Sequence, residues 1–288
     1  MQNRNYTGNM FRKYDKPGPG VDENAPQRRS FFHFLELFFR KFGKLIQLNL
    51  LYLVTIIPSF AILFFLGLFV LNPILSMFSA FIGVYGAEAV NAATFLLTIL
   101  FPLTIICVFG AGPVTAGFVY VLRNYSREEH AWLLSDFFEH TKKNFKQALC
   151  VFLIDIVVIF AVFFAINFYR VQFPQFAFLL SVLLLVFFVI YTLMHLYIYP
   201  MMVTFKLPLR ALYRNALIFA LAKLPKNIII TAFILGFIYI AALFAPISML
   251  IMVPLILFSL CGFTSVFWTY PTLKKHMLIE PNDEVKPE

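Results

Sequence analysis

The residues from Leu45 to Leu71 form a mainly apolar run without a single charged side chain. A helix of this length can cross the hydrocarbon core of a bilayer, which requires about 20 mainly apolar residues. Five further mainly apolar runs follow, and they place predicted spans at 93–122, 148–169, 176–205, 227–245 and 248–271. Since 61% of the chain is hydrophobic and only 13% is charged, no sizeable soluble domain is expected. We therefore predict an all-α polytopic membrane protein with six transmembrane helices, the first at 45–71.

The two ends of the chain differ from this apolar middle. Residues 1–29 are polar and rich in Pro, Gly, Asn and Arg, and they lack the apolar core of a cleavable signal peptide. They are predicted to form a disordered cytoplasmic tail. The six-span membrane domain is assigned to residues 30–278, and residues 279–288 are assigned to a second cytoplasmic tail.

The distribution of Lys and Arg indicates the orientation in the membrane. With six spans, 22 of the 23 basic residues fall on the side that carries both termini, and Arg170 is the exception. The segment 72–92, expected to be a long loop on the opposite side, contains none of them. Because cytoplasmic loops carry the excess of positive charge, both termini are predicted to be cytoplasmic. The same rule accounts for the net charge of +9, so no nucleic-acid partner is expected.

A basic amphipathic segment precedes each of the spans 1, 3 and 5. The three segments cover 30–44, 126–149 and 206–227, and each is predicted to contain a helix at the cytoplasmic surface of the membrane. In the second segment, Ser126 and Glu129 have the spacing of a capping box, so a helix is expected to begin there.

Each even-numbered span also carries a proline near its cytoplasmic end, at Pro113, Pro200 or Pro271. Together with the amphipathic segments, these prolines indicate a threefold repeat of a two-helix unit, an arrangement that transporter folds often contain. The alternative is that the prolines coincide by chance.

Four residues of the second amphipathic segment are candidates for contact with lipid or with a partner: Trp132, Lys142, Lys143 and Lys146. Tryptophan is enriched at membrane interfaces, and a lysine close to an anionic surface contributes about 1 kcal/mol to binding. We expect anionic lipids on the cytoplasmic side as partners, with a membrane protein of a transport system as a further partner.

The stretch FGAGPVTAG at 109–117 interrupts the predicted span 2. A phosphate-binding loop would need Lys and Ser or Thr after its last glycine, or a preceding strand, and neither is present. Glycine weakens a helix and proline removes a backbone donor, so a kink or break is predicted near 110–113. The break either lines a substrate pathway or only allows helices to pack. The candidate residues are Gly110, Gly112, Pro113, Thr115 and Gly117, and Arg123 is expected to mark the point where the span emerges.

Two ionisable residues stand out within the spans, where such residues are costly and often functional. Asp155 lies on span 3 and His195 on span 4, at similar distances along the helix from the nearest cytoplasmic lysine. They are candidates for an intramembrane pair that binds a proton or a substrate, and the alternative is a buried structural pair. Asn49 and Asn167 are expected to form hydrogen bonds between helices.

The chemistry of an enzyme is not visible in this sequence. The spans contain neither a nucleophile beside a general base nor a cluster of metal ligands. The three cysteines, Cys107, Cys150 and Cys261, lie singly in apolar runs. We therefore expect no catalytic residue, no metal and no cofactor.

The segment 109–149 resembles the YesL-like family of bacterial membrane proteins of unknown function. The resemblance rests on the turn from Gly112 to Gly117, on Asp-Phe-Phe at 136–138 and on Asn-Phe-Lys-Gln-Ala at 144–148. It implies a location in the bacterial plasma membrane and an accessory role in carbohydrate uptake.

The leading hypothesis is therefore a non-enzymatic integral membrane protein that assists or regulates carbohydrate uptake. The alternative is a small-solute transporter or channel that uses the broken span 2 and the layer formed by Asp155 and His195. The substrate, the identity of the partner and the oligomeric state are left open by the sequence.

Overall fold

The computed structural model describes residues 31–82, 87–244 and 251–277. Within these ranges, the side chains of residues 71–95, 241 and 244 are not described. Every regular element in the described part of the chain is a helix. The all-α fold class is thereby confirmed.

Some of the predicted segments lie outside the described residues. These are the tails 1–29 and 279–288, together with residues 245 and 248–250 at the facing ends of the predicted spans 5 and 6.

The described residues form a succession of helices that we number along the chain. They are α1 (Phe31–Arg40), α2 (Phe42–Thr55), α3 (Ile57–Ile82), α4 (Ala87–Phe109), α5 (Pro113–Ser126), α6 (Leu133–Lys143), α7 (Phe145–Gln172), α8 (Ala177–Met202), α9 (Leu209–Ala222), α10 (Leu224–Phe244) and α11 (Val253–Met277). The first turn of α11, Val253–Leu257, is π-helical.

Several of these helices are suited to crossing a bilayer. The helices α7, α8 and α11 are each long and apolar enough to do so alone. Three bent pairs qualify if each pair counts as one span: α2 with α3, bent by 63°, α4 with α5, bent by 57°, and α9 with α10, bent by 96°. The chain is therefore a membrane-spanning helical protein with three to six candidate spans among its described residues.

The predicted span at 45–71 is not one straight helix. It breaks between Thr55, where α2 ends, and Ile57, where α3 begins, and the two axes differ in direction by 63°. Pro58 lies in the first turn of α3, a position where its missing N–H leaves no helical hydrogen bond unmade. Because the run contains no charged residue, it is predicted as one continuous helix. In the structure, a new helix begins beside Pro58.

The segment 72–92 is largely helical and not the long loop expected from its lack of basic residues. The helix α3 continues to Ile82, and α4 begins at Ala87. The segment is mostly apolar, with Glu88 as its one charged residue, so its backbone is better satisfied within helices than as an open loop.

Each of the three amphipathic segments contains a helix, but the boundary of the second differs from the prediction. Ser126 is the last residue of α5, and its hydroxyl donates to the Arg123 carbonyl oxygen at 2.8 Å. The predicted helix start at Ser126 is therefore wrong. The helix α6 begins at Leu133, and the Asp136 carboxylate accepts a hydrogen bond from the backbone N–H of Trp132 at 2.9 Å.

The helix α5 lies at the centre of the bundle, in contact with α2, α6, α7, α8 and α11. Most of its residues are buried, including Ala116 and Gly117. A side chain on Gly117 would overlap the carbonyl oxygen of Phe137 and the hydroxyl of Thr141. Small residues allow such close approach of helix backbones. At Gly117, the backbone that approaches α5 is that of the amphipathic α6.

Asn49 joins α2 to the π-helical turn of α11. Its amide donates to the carbonyl oxygens of Val253 and Pro254 at 2.9 and 2.7 Å, and its Oδ1 accepts from the backbone N–H of Ser259 at 3.0 Å. The predicted hydrogen bonds between helices are therefore present for Asn49. Asn167 instead donates to Phe163 on its own helix at 2.9 Å.

We expect Asn49→Ala to lower the free energy of unfolding by about 2–4 kcal/mol. Asn49 is fully buried, and its loss removes one hydrogen bond from each of two carbonyl groups and from one N–H, at about 1 kcal/mol for each bond. Unfolding of the purified protein in mixed micelles measures the change. Asn167→Ala is the matched control and should cost less than about 1 kcal/mol. An Asn49→Ala protein as stable as this control would contradict the role assigned to Asn49.

The helices α7 and α8 form a hairpin whose far half is largely exposed, although Phe163 and Phe188 contact Phe101 and Phe109 of α4. No residue from 163 to 190 is buried, and large apolar side chains such as Phe164, Phe178 and Leu183 are more than half exposed. The buried part of α8 begins at Tyr191. We call residues 163–190 the outer hairpin.

Candidate functional site

The break between α4 and α5 is formed by Gly110, Ala111 and Gly112. Both glycines have positive φ, at 87° and 77°, a conformation that other residues adopt only with strain. Pro113 then opens α5 at a position that needs no backbone N–H. The structure places a 57° break at these residues.

Side chains from α2, α3 and α5 form hydrogen bonds at the break. The Thr115 hydroxyl accepts from the Ala111 N–H at 2.7 Å and shares a hydrogen bond of 2.8 Å with the Tyr52 hydroxyl. Ser59 donates to the Ala111 carbonyl oxygen at 2.9 Å. Tyr52 and Ser59 lie on α2 and α3, and sequence reasoning did not single them out, since no local pattern relates them to residue 111.

A small cavity of about 40 Å³ lies beside the break. It is lined by Gly110 and Thr115 of the break, by His195 and Tyr199 of α8, and by Cys107 of α4, among others. One water molecule requires at least about 10–15 Å³ on this measure, so two or three waters fit. Binding pockets for small organic ligands are typically about 300–1,000 Å³, and the cavity is far below that range.

Asp155 and His195 lie in direct contact within the bundle. His195 Nε2 is 2.9 Å from Asp155 Oδ1, and the same oxygen accepts a hydrogen bond of 2.6 Å from the Tyr191 hydroxyl. Both residues are almost completely buried. The structure thus brings together the two ionisable residues of the predicted pair.

Tyr191 completes this cluster and was missed by sequence reasoning. It lies four residues before His195, so the two share one face of α8, and its carbonyl oxygen is 3.0 Å from His195 Nδ1. The spacing was visible in the sequence, but a tyrosine in an apolar run carries no signal that separates it from ordinary packing.

The hydrogen bonds define how many protons the cluster holds. A carbonyl oxygen only accepts, so His195 Nδ1 carries a proton, and the contact between Nε2 and Asp155 Oδ1 requires a second one. The pair is then either an imidazolium with a carboxylate or a neutral imidazole with a carboxylic acid. Its net charge is zero in both forms, which is the charge that burial in a membrane favours.

One acceptor of the cluster is not used by the described residues. Asp155 Oδ2 is buried, and none of them donates a hydrogen bond to it. His195 lines the cavity at the break, whereas Asp155 does not. The break and the ionisable pair are therefore neighbours that meet at His195.

Arg123 is buried and does not mark an exit to water as expected. Its guanidinium donates to the Val203 carbonyl oxygen at 2.9 Å and the Thr204 hydroxyl at 3.1 Å, and it lies over the Tyr120 ring at 4.5 Å. Val203 is the C-cap of α8, and a cation is favourable at a helix C-terminus. The arginine thus ties α5 to the end of α8.

The four candidate residues for lipid or partner contact lie apart from this interior site. Trp132 is 70% exposed, and Lys142, Lys143 and Lys146 are exposed as well. They belong to the surface of α6 and to the first turn of α7.

His140, on the inner side of α6, stacks on Tyr120 with ring centroids 3.3 Å apart. Partial burial lowers the pKa of His140 below its usual value, and the charge of Lys143 lowers it further. The folded protein therefore binds this proton less readily than the unfolded chain does.

We expect the unfolding temperature to fall as the pH is lowered below about 6.5, the usual pKa of an unfolded histidine. The folded-state pKa of His140 is depressed, so the stability that depends on neutral His140 is present above pH 6.5 and is lost as the pH falls towards the folded-state pKa. Thermal unfolding at pH 7 and at pH 5 measures the effect, and His140→Phe should reduce it. Identical pH dependence in both proteins would contradict this assignment.

The described residues offer little for a metal site. No group of three or more His, Cys, Asp or Glu side chains among them lies close enough to hold a metal ion. The thiols of Cys107 on α4 and Cys261 on α11 contact each other, a pairing that their positions in the sequence did not indicate, and both are free cysteines.

Comparison with known proteins relates one part of the chain to a family. A family model described as "Protein of unknown function, DUF624" matches residues 91–167. The matched range contains the break, α6 and Asp155, whereas His195 lies beyond it. No curated protein and no solved structure matches the chain.

Proposed function

We propose that this chain is a non-enzymatic accessory or regulatory protein of a carbohydrate uptake system, embedded in the bacterial plasma membrane. The observation that carries the proposal is the size of the cavity at the break. At about 40 Å³ it admits water but no sugar, and a larger pocket of about 540 Å³ between α1, α10 and α11 is lined mainly by apolar side chains, so a role exerted on a partner fits better than transport of a sugar through the break. The link to carbohydrate uptake rests on the resemblance of 109–149 to YesL-like proteins, a segment that lies within the matched range 91–167.

The proposed topology has six spans and cytoplasmic termini. Counting each bent pair as one span gives six, and this number leaves Arg170 as the one basic residue on the far side. The 96° bend between α9 and α10 supports a surface position for α9 when α10 crosses the membrane. This agrees with the basic amphipathic character of α9.

A threefold repeat remains part of the proposal at the level of helix order. The helices α1, α6 and α9 each precede a pair of proposed spans. The prolines of the even spans have different local roles, because Pro113 begins a helix whereas Pro200 and Pro271 lie inside helices. The repeat is therefore proposed for the order of helices and not for the prolines.

The outer hairpin is the surface that we propose for contact with a membrane partner. Most of its large apolar side chains are exposed, as with Phe178 at 84% and Phe187 at 52%. Lipid can cover these residues, and so can the helices of another membrane protein. The proposed partner is a membrane subunit of the uptake system.

Purification from native membranes tests the association. The tagged chain, extracted in mild detergent, is expected to enrich membrane subunits of a carbohydrate uptake system in mass spectrometry, relative to an unrelated multi-pass protein purified in the same way. Equal recovery of such subunits with both proteins would contradict the proposal.

A second candidate function, transport of a small solute, is favoured by one observation. His195 belongs both to the cavity at the break and to the buried pair with Asp155. If the chain transports alone, sealed vesicles that contain the purified protein move solute, and Asp155→Asn changes the flux. Vesicles with no flux above empty ones would exclude this function for the isolated chain.

A further inference from the structure

A row of exposed apolar side chains runs along α6 and into α7. Its members are Leu134, Phe138, Phe145 and Leu149, which are between 36% and 59% exposed. Their spacings of four, seven and four residues place them on one side of a helix. Backbone hydrogen bonds from the Asn144 N–H to His140 and from the Ala148 N–H to Asn144 continue the helical pattern through the junction. We call these four residues the α6 row.

The α6 row continues directly into the surface of a candidate span. Further along α7, the exposed side chains Leu153, Phe160 and Phe164 follow on the same side. The helix α7 alone is long and apolar enough to cross the membrane, so these side chains lie on its membrane-exposed surface. The α6 row, with Lys142 and Lys146 beside it, continues this surface and is therefore expected to contact the membrane as well.

The helix α6 is held at the level of the bundle and does not project away from it. Gly117 admits the backbone of α6 at Phe137, and Tyr120 stacks on His140. Gly117 and Tyr120 both belong to α5, and most of α5 is buried. The exposed side of α6 is therefore held close to the end of the membrane-spanning bundle.

Three lysines flank the α6 row, and a tryptophan precedes it. Lys142, Lys143 and Lys146 are exposed, and none of them takes part in an ion pair among the described residues. Trp132 lies at the other end of α6 and is 70% exposed. Lysines that extend past apolar side chains to a charged interface, with tryptophan beside them, are typical of contact with lipid headgroups.

We propose that α6 and the first turn of α7 bind the phosphate groups of anionic phospholipids in the leaflet that borders this end of the bundle. The α6 row contacts the acyl region, and the ammonium groups of Lys142, Lys143 and Lys146 bind the phosphates above it. The inference rests on the proposed topology, in which α6 lies at the cytoplasmic side of the membrane, and it specifies lipid as the molecule that covers α6. A protein partner on this surface is the competing outcome.

Tryptophan fluorescence tests the proposal directly, because the chain has only two tryptophans. In the Trp268→Phe protein, Trp132 is the sole reporter. The protein is reconstituted with brominated phosphatidylglycerol or with brominated phosphatidylcholine, and the quenching of Trp132 is compared. We expect the anionic lipid to be preferred by at least about five-fold, the effect of one lysine at an anionic surface. Wild type and Trp132→Phe give the same comparison by subtraction if Trp268→Phe folds poorly.

The matched variants decide whether the α6 lysines cause the preference. Replacing Lys142, Lys143 and Lys146 together by Gln should reduce it to near unity. Replacing the exposed lysines Lys274 and Lys275 at the end of α11 by Gln should leave it unchanged. Equal quenching by both lipids, or a preference kept in the triple variant, would overturn the proposal. No quenching by either lipid would also overturn it, because Trp132 would then lie away from the bilayer and the surface would be free for a protein partner. If the purification from native membranes recovers the uptake-system subunits but Trp132 shows no preference for the anionic lipid, this inference is refuted and the proposed function is not.

Discussion

Replacing Gly117 by Ala is expected to lower the free energy of unfolding by more than about 3 kcal/mol or to prevent folding. The added methyl group would overlap the backbone carbonyl oxygen of Phe137 and the hydroxyl of Thr141. Forcing extra volume into a packed interface costs about 1–3 kcal/mol, and here the obstacle is backbone that moves only if all of α6 moves. Unfolding in mixed micelles, followed by the reactivity of buried cysteines, measures the loss.

Two other helical glycines provide the control for this substitution. Gly43 on α2 and Gly236 on α10 have no atom within 4 Å of an added side chain. Alanine is favoured over glycine inside a helix by about 1 kcal/mol, so Gly43→Ala and Gly236→Ala should match or exceed the stability of the wild type. A Gly117→Ala protein that behaves like these two would show that α5 and α6 do not pack as described.

For the imidazolium–carboxylate form of the pair, His195→Phe is expected to destabilise the protein by about 3–5 kcal/mol, which is the cost of leaving the buried carboxylate without its partner. The substitution leaves Asp155 with the Tyr191 hydroxyl as its remaining donor. Asp155→Asn should cost about 1 kcal/mol or less, because an amide nitrogen in the place of Oδ1 carries two hydrogens and can donate to both His195 Nε2 and the Tyr191 hydroxyl oxygen.

The double variant separates a charge effect from a packing effect. With Asp155→Asn already present, His195→Phe leaves no charge behind, so the double variant should be more stable than His195→Phe alone. Equilibrium unfolding of all four proteins gives the coupling energy, expected at about 2 kcal/mol or more. Additive losses would contradict the account of Asp155 and His195 as one neutral pair.

The sequence predicted those features that follow from composition or from local backbone chemistry. Long apolar runs gave the helical membrane-spanning class, and the glycines with Pro113 indicated where α4 and α5 separate. Similar depth along two spans suggested that Asp155 and His195 could meet, and they lie 2.9 Å apart.

The features that were missed depend on contacts between distant segments. Tyr52 and Ser59 form hydrogen bonds at the break from α2 and α3. Arg123 can be buried because Val203 and Thr204, at the end of α8, accept hydrogen bonds from its guanidinium. A hydropathy pattern contains no information on such neighbours. The bend at Pro58, by contrast, could have been predicted, since a proline usually marks the start of a new helix.

The central claim is that this protein acts through a membrane partner held at the outer hairpin. A photoreactive side chain at Leu183, which is 59% exposed, tests it in native membranes, with Phe65 on α3 at 61% exposed as the matched position. The expected result is a crosslink from Leu183, but not from Phe65, to a membrane subunit of a carbohydrate uptake system. Crosslinks from Leu183 to lipid alone, or the same protein adducts from both positions, would contradict the claim.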